Sequence, residues 1–383
     1  MAKKNYIPFS QPPLVGNEIK YIQNAIKSKK LSGDGVYSKL CESLIQKQTN
    51  SKKIFITPSC TAALELSALL IDIKKGDEVI IPSFTFTSTV NAFILQGATP
   101  IFVDIDQDTL NISSEEIKKA ITKKTKAIVP VHYAGVACDM NVISSFKEDN
   151  LYIIEDAAQA YYSFYNEKHL GTIGDIGTFS FHDTKNITSG EGGAISINNP
   201  LLIERAEIVR EKGTNRSKYL LGQVDKYTWC DIGTSCLPSE ITAAYLLAQL
   251  EIAKDITKKR MALWNTYHKL LKKAEDDKLI ARPKVPESLK HNAHIYYAIL
   301  NNKKSRDLCI TFMKARGIIA SFHYIPLHSS PAGKKYATSI GNMKNTNSIS
   351  ERIIRLPLFY KLKEKEQSFI ISTFLEFLYK KII

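Results

Sequence analysis

The chain lacks most of the features that would direct its 383 residues toward a metal, a membrane or a nucleic acid. Its six cysteines (Cys41, Cys60, Cys138, Cys230, Cys236, Cys309) form no C-x-x-C pair and no His/Cys cluster. That argues against a structural zinc and fits a reducing, cytoplasmic setting. No apolar run reaches the ~18 residues of a membrane span. The opening stretch, MAKKNYIPFSQPP, has two lysines but no apolar h-region, so it does not read as a secretory signal. No Gly-x-Gly-x-x-Gly follows the first strand-like run, which argues against a nicotinamide dehydrogenase. Net charge is +14, from 52 basic and 38 acidic residues, so a basic nucleic-acid-binding regulator has to be weighed. The lysines are scattered as pairs (Lys52-Lys53, Lys74-Lys75, Lys123-Lys124, Lys303-Lys304), with no basic stripe and no reader motif. No nucleic-acid partner is expected.

What is present is an ordinary globular composition, 44% hydrophobic and 23% charged, in a chain too long for one compact core. Residues 1–16 form a Pro-rich arm (Pro8, Pro12, Pro13), and Asn17 can cap a helix running to about residue 28. A turn at 31–35 leads into a second helix over 36–48. Short apolar strands at 54–57, 78–82, 101–104, 126–131 and 151–154 then alternate with helices at 61–71, 88–96, 113–122 and 141–148. This predicts an α/β fold with a mainly parallel sheet covered on both faces, its ligands gathered at the carboxyl ends of the strands. Helices are predicted over 201–212 and 240–259. Past about residue 255 the pattern changes to a helix (260–274), a strand (295–301) and helices at 305–316 and 364–379. The chain therefore divides into an arm and large domain, 1–254, and a smaller C-terminal α+β domain, 255–383.

Lys185 lies between a strand-like run, 177–181, and a Gly-rich turn, Gly190, Gly192 and Gly193. A lysine partly desolvated there has a lowered pKa and a nucleophilic amine. About thirty residues upstream, a buried strand ends in Glu155-Asp156-Ala157-Ala158-Gln159. An acid and a lysine so placed are what pyridoxal phosphate requires: the amine bonds the aldehyde, and the acid keeps the ring nitrogen protonated. Pro58-Ser59-Cys60-Thr61-Ala62 opens a helix and can cradle a phosphate. Phe86 follows a strand end and can stack on a planar ring. Gln159 and Ser180 complete the set.

In these motifs the chain resembles the DegT/DnrJ/EryC1/StrS family of sugar aminotransferases. The resemblance runs from Ile7-Pro8-Phe9 to Leu356-Pro357-Leu358, through Gly76-Asp77-Glu78-Val79-Ile80, Pro82-Ser83-Phe84-Thr85-Phe86, Phe179-Ser180-Phe181-His182 and Glu191-Gly192-Gly193. Residues 29–35, 57–64, 130–138, 210–217, 222–229 and 323–331 look closer still to one subgroup. These are the 4-aminotransferases that make dTDP-4-amino-4,6-dideoxygalactose for enterobacterial common antigen, an O-antigen or another surface polysaccharide.

The resemblance implies an aspartate aminotransferase-like fold type I enzyme and a homodimer with a shared active site. Its substrates would be glutamate (leaving as 2-oxoglutarate) and a dTDP-linked 4-keto-6-deoxy sugar. Lys185 would bond the cofactor and carry protons, Asp156 would pair with the ring nitrogen, Gln159 would touch the ring hydroxyl and Phe86 would stack. Cys60, Thr61 and Ser180 would hold the phosphate. Where the wider family has an Asn reaching the partner's phosphate, this chain has Ser235. Lys212, Arg216 and Lys226 are candidates for the sugar nucleotide's diphosphate, and Gly33, Asp34, His182, His323 and His328 for the substrate wall. A 3-keto or gluco-product aminotransferase would share nearly every motif. A dehydratase of the same fold carries histidine where Lys185 stands.

Overall fold

The apolar runs of the first half are buried at almost every position, as strands sandwiched between helix layers must be. In the computed structural model, which describes residues 6–380, they build one eight-stranded sheet. Its order is 53–57, 193–197, 176–180, 152–156, 125–128, 78–82, 99–103, 338–339. Only Gly193–Ile197 runs against the rest, antiparallel to both its neighbours. The parallel set therefore ends together, with Pro82, Asp156 and Ser180 along one edge. Helices such as Cys60–Leu70 and Glu240–Glu251 cover the faces.

The second half builds a small antiparallel sheet from Ile280–Ala281, Tyr296–Leu300 and Ile353–Leu356. The helices Lys303–Ala315 and Glu364–Tyr379 pack on it around Tyr267, Tyr296, Met313 and Phe374. The α/β expectation with a smaller C-terminal domain thus holds. The closing helix expected over 364–379 is found at Glu364–Tyr379.

Other details differ. Asn17 sits in right-handed helical geometry and makes no side-chain cap. The Glu18 carboxylate accepts from Val15 and Gly16 N–H instead, at 2.8 and 2.7 Å. The long helix breaks at Ile252 (φ −115°, ψ 18°), not near 259, and no Gly or Pro signals it. Its two parts serve different cores: Leu246 and Leu250 the large domain, Leu263 and Tyr267 the small one. The helix over 201–212 shortens to Ile203–Val209, after a 3-10 turn at Pro200–Leu202. Among the strands with no forecast are Thr338–Ser339, which returns to the edge of the large sheet, and Ile353–Leu356.

The arm lies across the molecule, its first five residues falling outside the described ones. Ile7 is stitched to the small domain through Gly317 O (2.8 Å) and Ile319 N (3.0 Å). Pro13 O accepts from Gln249 of the large domain at 3.0 Å. Between these anchors Phe9 and Ser10 cross a cavity.

Candidate active site

That cavity, about 560 Å³, opens at the carboxyl edge of the sheet where the small domain faces it. One wall is the first turn of Cys60–Leu70. Ser59 caps this helix by accepting from Ala62 N–H at 3.1 Å. The N–H groups of Cys60 and Thr61 precede the first helical hydrogen bond and face the cavity with the positive helix end behind them. Gly193, paired in register with both Thr57 and Ser180, runs directly beneath. A Cβ on it would stand 2.5 Å from Cys60 N, so only glycine admits this approach. Ser180 lines the same pocket.

Glu155 and Asp156 are adjacent in a strand, so their side chains point to opposite faces. The Glu155 carboxylate turns inward and accepts from the N–H groups of Gly171 (2.7 Å), Ile173 (2.6 Å) and Gly174 (2.7 Å), with His132 Nε2 at 2.9 Å. Asp156 turns to the cavity. Thr89 Oγ1 donates to its Oδ2 at 2.8 Å and Ala158 N–H to its Oδ1 at 3.1 Å. Burial raises the Asp156 carboxyl above its ordinary value, while Thr89, Ala158 and the Lys185 charge pull it back.

Lys185 is half-buried in the same cavity. Burial lowers its amine; Cys60 and Asp156 oppose this, and the Arg355 charge adds to it. A lysine with a depressed pKa facing an acid is a poised nucleophile and proton carrier. The residues fit pyridoxal phosphate: free helix N–H groups for the phosphate, an acid for the ring nitrogen and an amine for the aldehyde.

Of the other candidates, Phe86, Gln159, His182 and His323 also line the cavity. Gln159 is committed on both ends, accepting from Ala134 N–H (2.7 Å) and donating to Tyr324 OH (2.9 Å). Tyr133 OH and His323 Nδ1 are 3.1 Å apart. The remaining candidates lie outside the cavity of their own chain. Asp34 pairs with Arg210 (3.0 Å) and Lys39, and Gly33 packs where a Cβ would be 2.5 Å from Pro238 O. Both are half-buried in the 31–35 turn. His328 Nδ1 is held 2.6 Å from Ser83 Oγ. Lys212 and Arg216 face Glu211, at 3.4 and 3.9 Å, and Lys226 and Ser235 are exposed on the same 211–235 excursion.

Sequence reading missed Thr89, His294, Tyr324 and Arg355, all of which line the cavity. Three of them come from the C-terminal part of the chain, where strand and turn signals are weak. Thr89 is visible only as one of several hydroxyls in Thr85–Thr89.

The chain is similar to known proteins along nearly its whole length. The profile of the DegT/DnrJ/EryC1/StrS aminotransferase family matches residues 13–375. An uncharacterized protein of Methanocaldococcus jannaschii is 35% identical over 374 residues, 96% of each chain. GDP-perosamine synthase of Escherichia coli O157:H7 is 33% identical over 97% of this chain and 98% of its own. The putative sugar aminotransferase Spr1654 of Streptococcus pneumoniae has been solved in PLP and PMP forms, 28% and 29% identical to this chain. Both superpose with a TM-score of 0.89 over 98% of this chain and 99% of theirs.

Proposed function

The chain belongs to the DegT/DnrJ/EryC1/StrS aminotransferase family, and on that footing we propose that it aminates C4 of a dTDP-linked 4-keto-6-deoxy sugar. It is a pyridoxal phosphate-dependent sugar aminotransferase acting on nucleotide sugars. The donor in our reading is glutamate and the product dTDP-4-amino-4,6-dideoxygalactose, for a surface polysaccharide. The observation that carries the chemistry is Lys185 and Asp156 facing one cavity beside an open helix N-terminus. The sugar assignment is supported by the subgroup-like segments, among them 29–35, 130–138 and 323–331.

Bound pyridoxal phosphate supplies an aldehyde that exchanges amines and a ring that accepts electrons from the carbon losing its proton. Cys60 and Thr61 N–H and Ser180 Oγ hold the phosphate. Asp156, fixed by Thr89 and Ala158, holds the ring-nitrogen proton from a buried position where its charge is felt most strongly. Lys185 Nζ takes the proton from the donor's α-carbon, then returns one to sugar C4 in the second half. Phe86 covers the ring, and Phe9 in the arm restricts water.

We further propose a cytoplasmic homodimer in which the 211–235 excursion, with Ser235, Lys212, Arg216 and Lys226, reaches the partner's cavity. The reading is supported by large apolar side chains left exposed on and near it, including Trp229 at 78%, Ile232 at 57% and Leu221 at 71%. Five of the six thiols are buried and all are free, as a reducing compartment allows.

The test offers the holoenzyme dTDP-4-amino-4,6-dideoxygalactose, its gluco epimer, a 3-amino dTDP sugar and GDP-perosamine, each with 2-oxoglutarate. The dTDP galacto sugar is expected to give the highest kcat/KM, by roughly tenfold or more. A preference for any of the others would replace the substrate assignment and keep the enzyme class. Sedimentation of the holoenzyme should give a dimer, and Trp229→Asp should weaken it.

A further inference from the structure

His294 lines the active-site cavity and is 7% exposed. It stands where the chain enters the small-domain strand Tyr296–Leu300, and the residues before it are pinned. Asn292 Nδ2 donates to the large domain, to Gln159 O at 2.9 Å and Tyr161 O at 2.8 Å. Ala293 takes left-handed backbone geometry (φ 51°), which a residue with a Cβ adopts only where its surroundings impose it. Arg260, 4% exposed, imposes it: Nε donates to Ala293 O at 3.2 Å and Nη2 to His294 O at 2.6 Å. The burial of this guanidinium is met by those carbonyls, not by a carboxylate.

Asn186, the neighbour of Lys185, decides which ring nitrogen of His294 carries the hydrogen. Its Nδ2 donates to Asn292 O at 2.8 Å, so Oδ1 is the end that meets His294 Nδ1, at 3.1 Å. An amide oxygen only accepts; Nδ1 therefore holds the hydrogen and Nε2 keeps a lone pair. With Nδ1 turned to Asn186, Nε2 is the ring nitrogen left for the cavity. Burial, then the charges of Lys185 and Arg260, hold the imidazole well below its ordinary pKa, so a proton does not take that lone pair.

A buried lone pair calls for a donor. Glutamate brings two carboxylates, which only accept, and an amine that is consumed in the reaction. The nucleotide sugar brings hydroxyls, and one of them sits on the carbon beside the reacting carbon. We propose that His294 Nε2 accepts that neighbouring hydroxyl (the one on C3 when C4 is aminated), an inference that rests on the aminotransferase reading of this cavity. His294 is close enough to Lys185 to feel its charge, as a group reading the carbon next to the reacting one must be. The pinned 292–294 segment gives the imidazole a fixed direction, and Arg260 is a positioning residue behind it.

The test follows each half-reaction of the holoenzyme by its absorption spectrum, for wild type, His294→Phe and His294→Gln. L-Glutamate drives one half. The other uses the amino sugar nucleotide that converts wild type best, beside its analogue lacking the neighbouring hydroxyl. Wild type should favour the hydroxylated sugar roughly tenfold or more in kcat/KM. His294→Phe should bring that ratio to within about twofold of unity, with KM for glutamate changed by less than about twofold. His294→Gln, whose amide oxygen can accept from nearly the same place, should fall between and serves if the Phe variant does not fold. Each ratio is read within one preparation, so partial unfolding does not move it. A wild type indifferent to the hydroxyl, or a wild-type ratio in either variant, would overturn the assignment. So would a glutamate KM that rises by the same factor as that of the sugar, which would turn Nε2 toward Lys185 instead. A best substrate other than dTDP-4-amino-4,6-dideoxygalactose would replace the substrate reading alone, since the ratio is still measured on that sugar.

Discussion

His132 Nε2 lies 2.9 Å from the Glu155 carboxylate, and neither side chain is reached by solvent. Cys138 N–H donates to the other ring nitrogen at 3.1 Å. Together with the three backbone N–H groups on Glu155, this ties the strand that ends in Asp156 to the 171–174 turn. Asp156 is therefore placed by a polar network behind it as much as by Thr89 and Ala158 in front.

Breaking the pair by removing one partner should cost about 3–5 kcal/mol, as for other buried pairs. The pH dependence has a definite sign. Because Cys138 N–H donates to Nδ1, that nitrogen accepts, and Nε2–H donates to Glu155 from a neutral imidazole. Burial would raise Glu155, but His132 and the N–H groups of Gly174 and Gly171 hold it below 4.5, so its share fades as pH falls below that. Thermal melts of wild type and His132→Asn should differ most above pH 4.5 and converge as pH falls below it. A gap that widens in acid would contradict this.

Thr89→Val keeps the shape and removes the hydroxyl that donates to Asp156 Oδ2. The Asp156 carboxyl, already raised by burial, should rise further. The acid limb of the kcat/KM profile should move up by about one pH unit, with a roughly tenfold loss at low pH. A profile that only scales down without moving would assign Thr89 a packing role.

Much of this site was legible in the sequence because its parts are local. A capped helix start at Ser59, an acid at a strand end and a lysine before a Gly-rich turn each fit within a few residues. What was hidden depends on contacts between distant segments. Arg355 stands in the run Ile353 to Leu358, which carries no strand-bounding Gly, and only pairing with Tyr297 and Ser321 fixes where its side chain goes. Nor does the sequence say that Asp34 meets Arg210, 176 residues away. The break at Ile252 follows from two cores competing for one helical run, a tertiary effect with no residue-type signature.

Gly193→Ala tests the cradle. The new Cβ would force the strand from the helix start, since Cys60 N and the Ser59 carbonyl carbon would each be 2.5 Å away. Pyridoxal phosphate affinity, measured by titrating the apoenzyme, should fall roughly tenfold or more, with about 1–3 kcal/mol of stability lost. An unchanged affinity would place the phosphate elsewhere.

The most direct test of the central claim is the visible absorption spectrum of the holoenzyme, wild type beside Lys185→Ala, with and without dTDP-4-amino-4,6-dideoxygalactose. Wild type should show the band of cofactor bonded to lysine, and the amino sugar should convert it to the shorter-wavelength band of the aminated cofactor. Lys185→Ala should lack the first band, keep the sugar bound to the cofactor without turnover, and lose roughly 10³-fold or more in rate. A lysine-bonded band that persists in Lys185→Ala, or a wild type that shows no band after pyridoxal phosphate is added, would contradict the role given to Lys185.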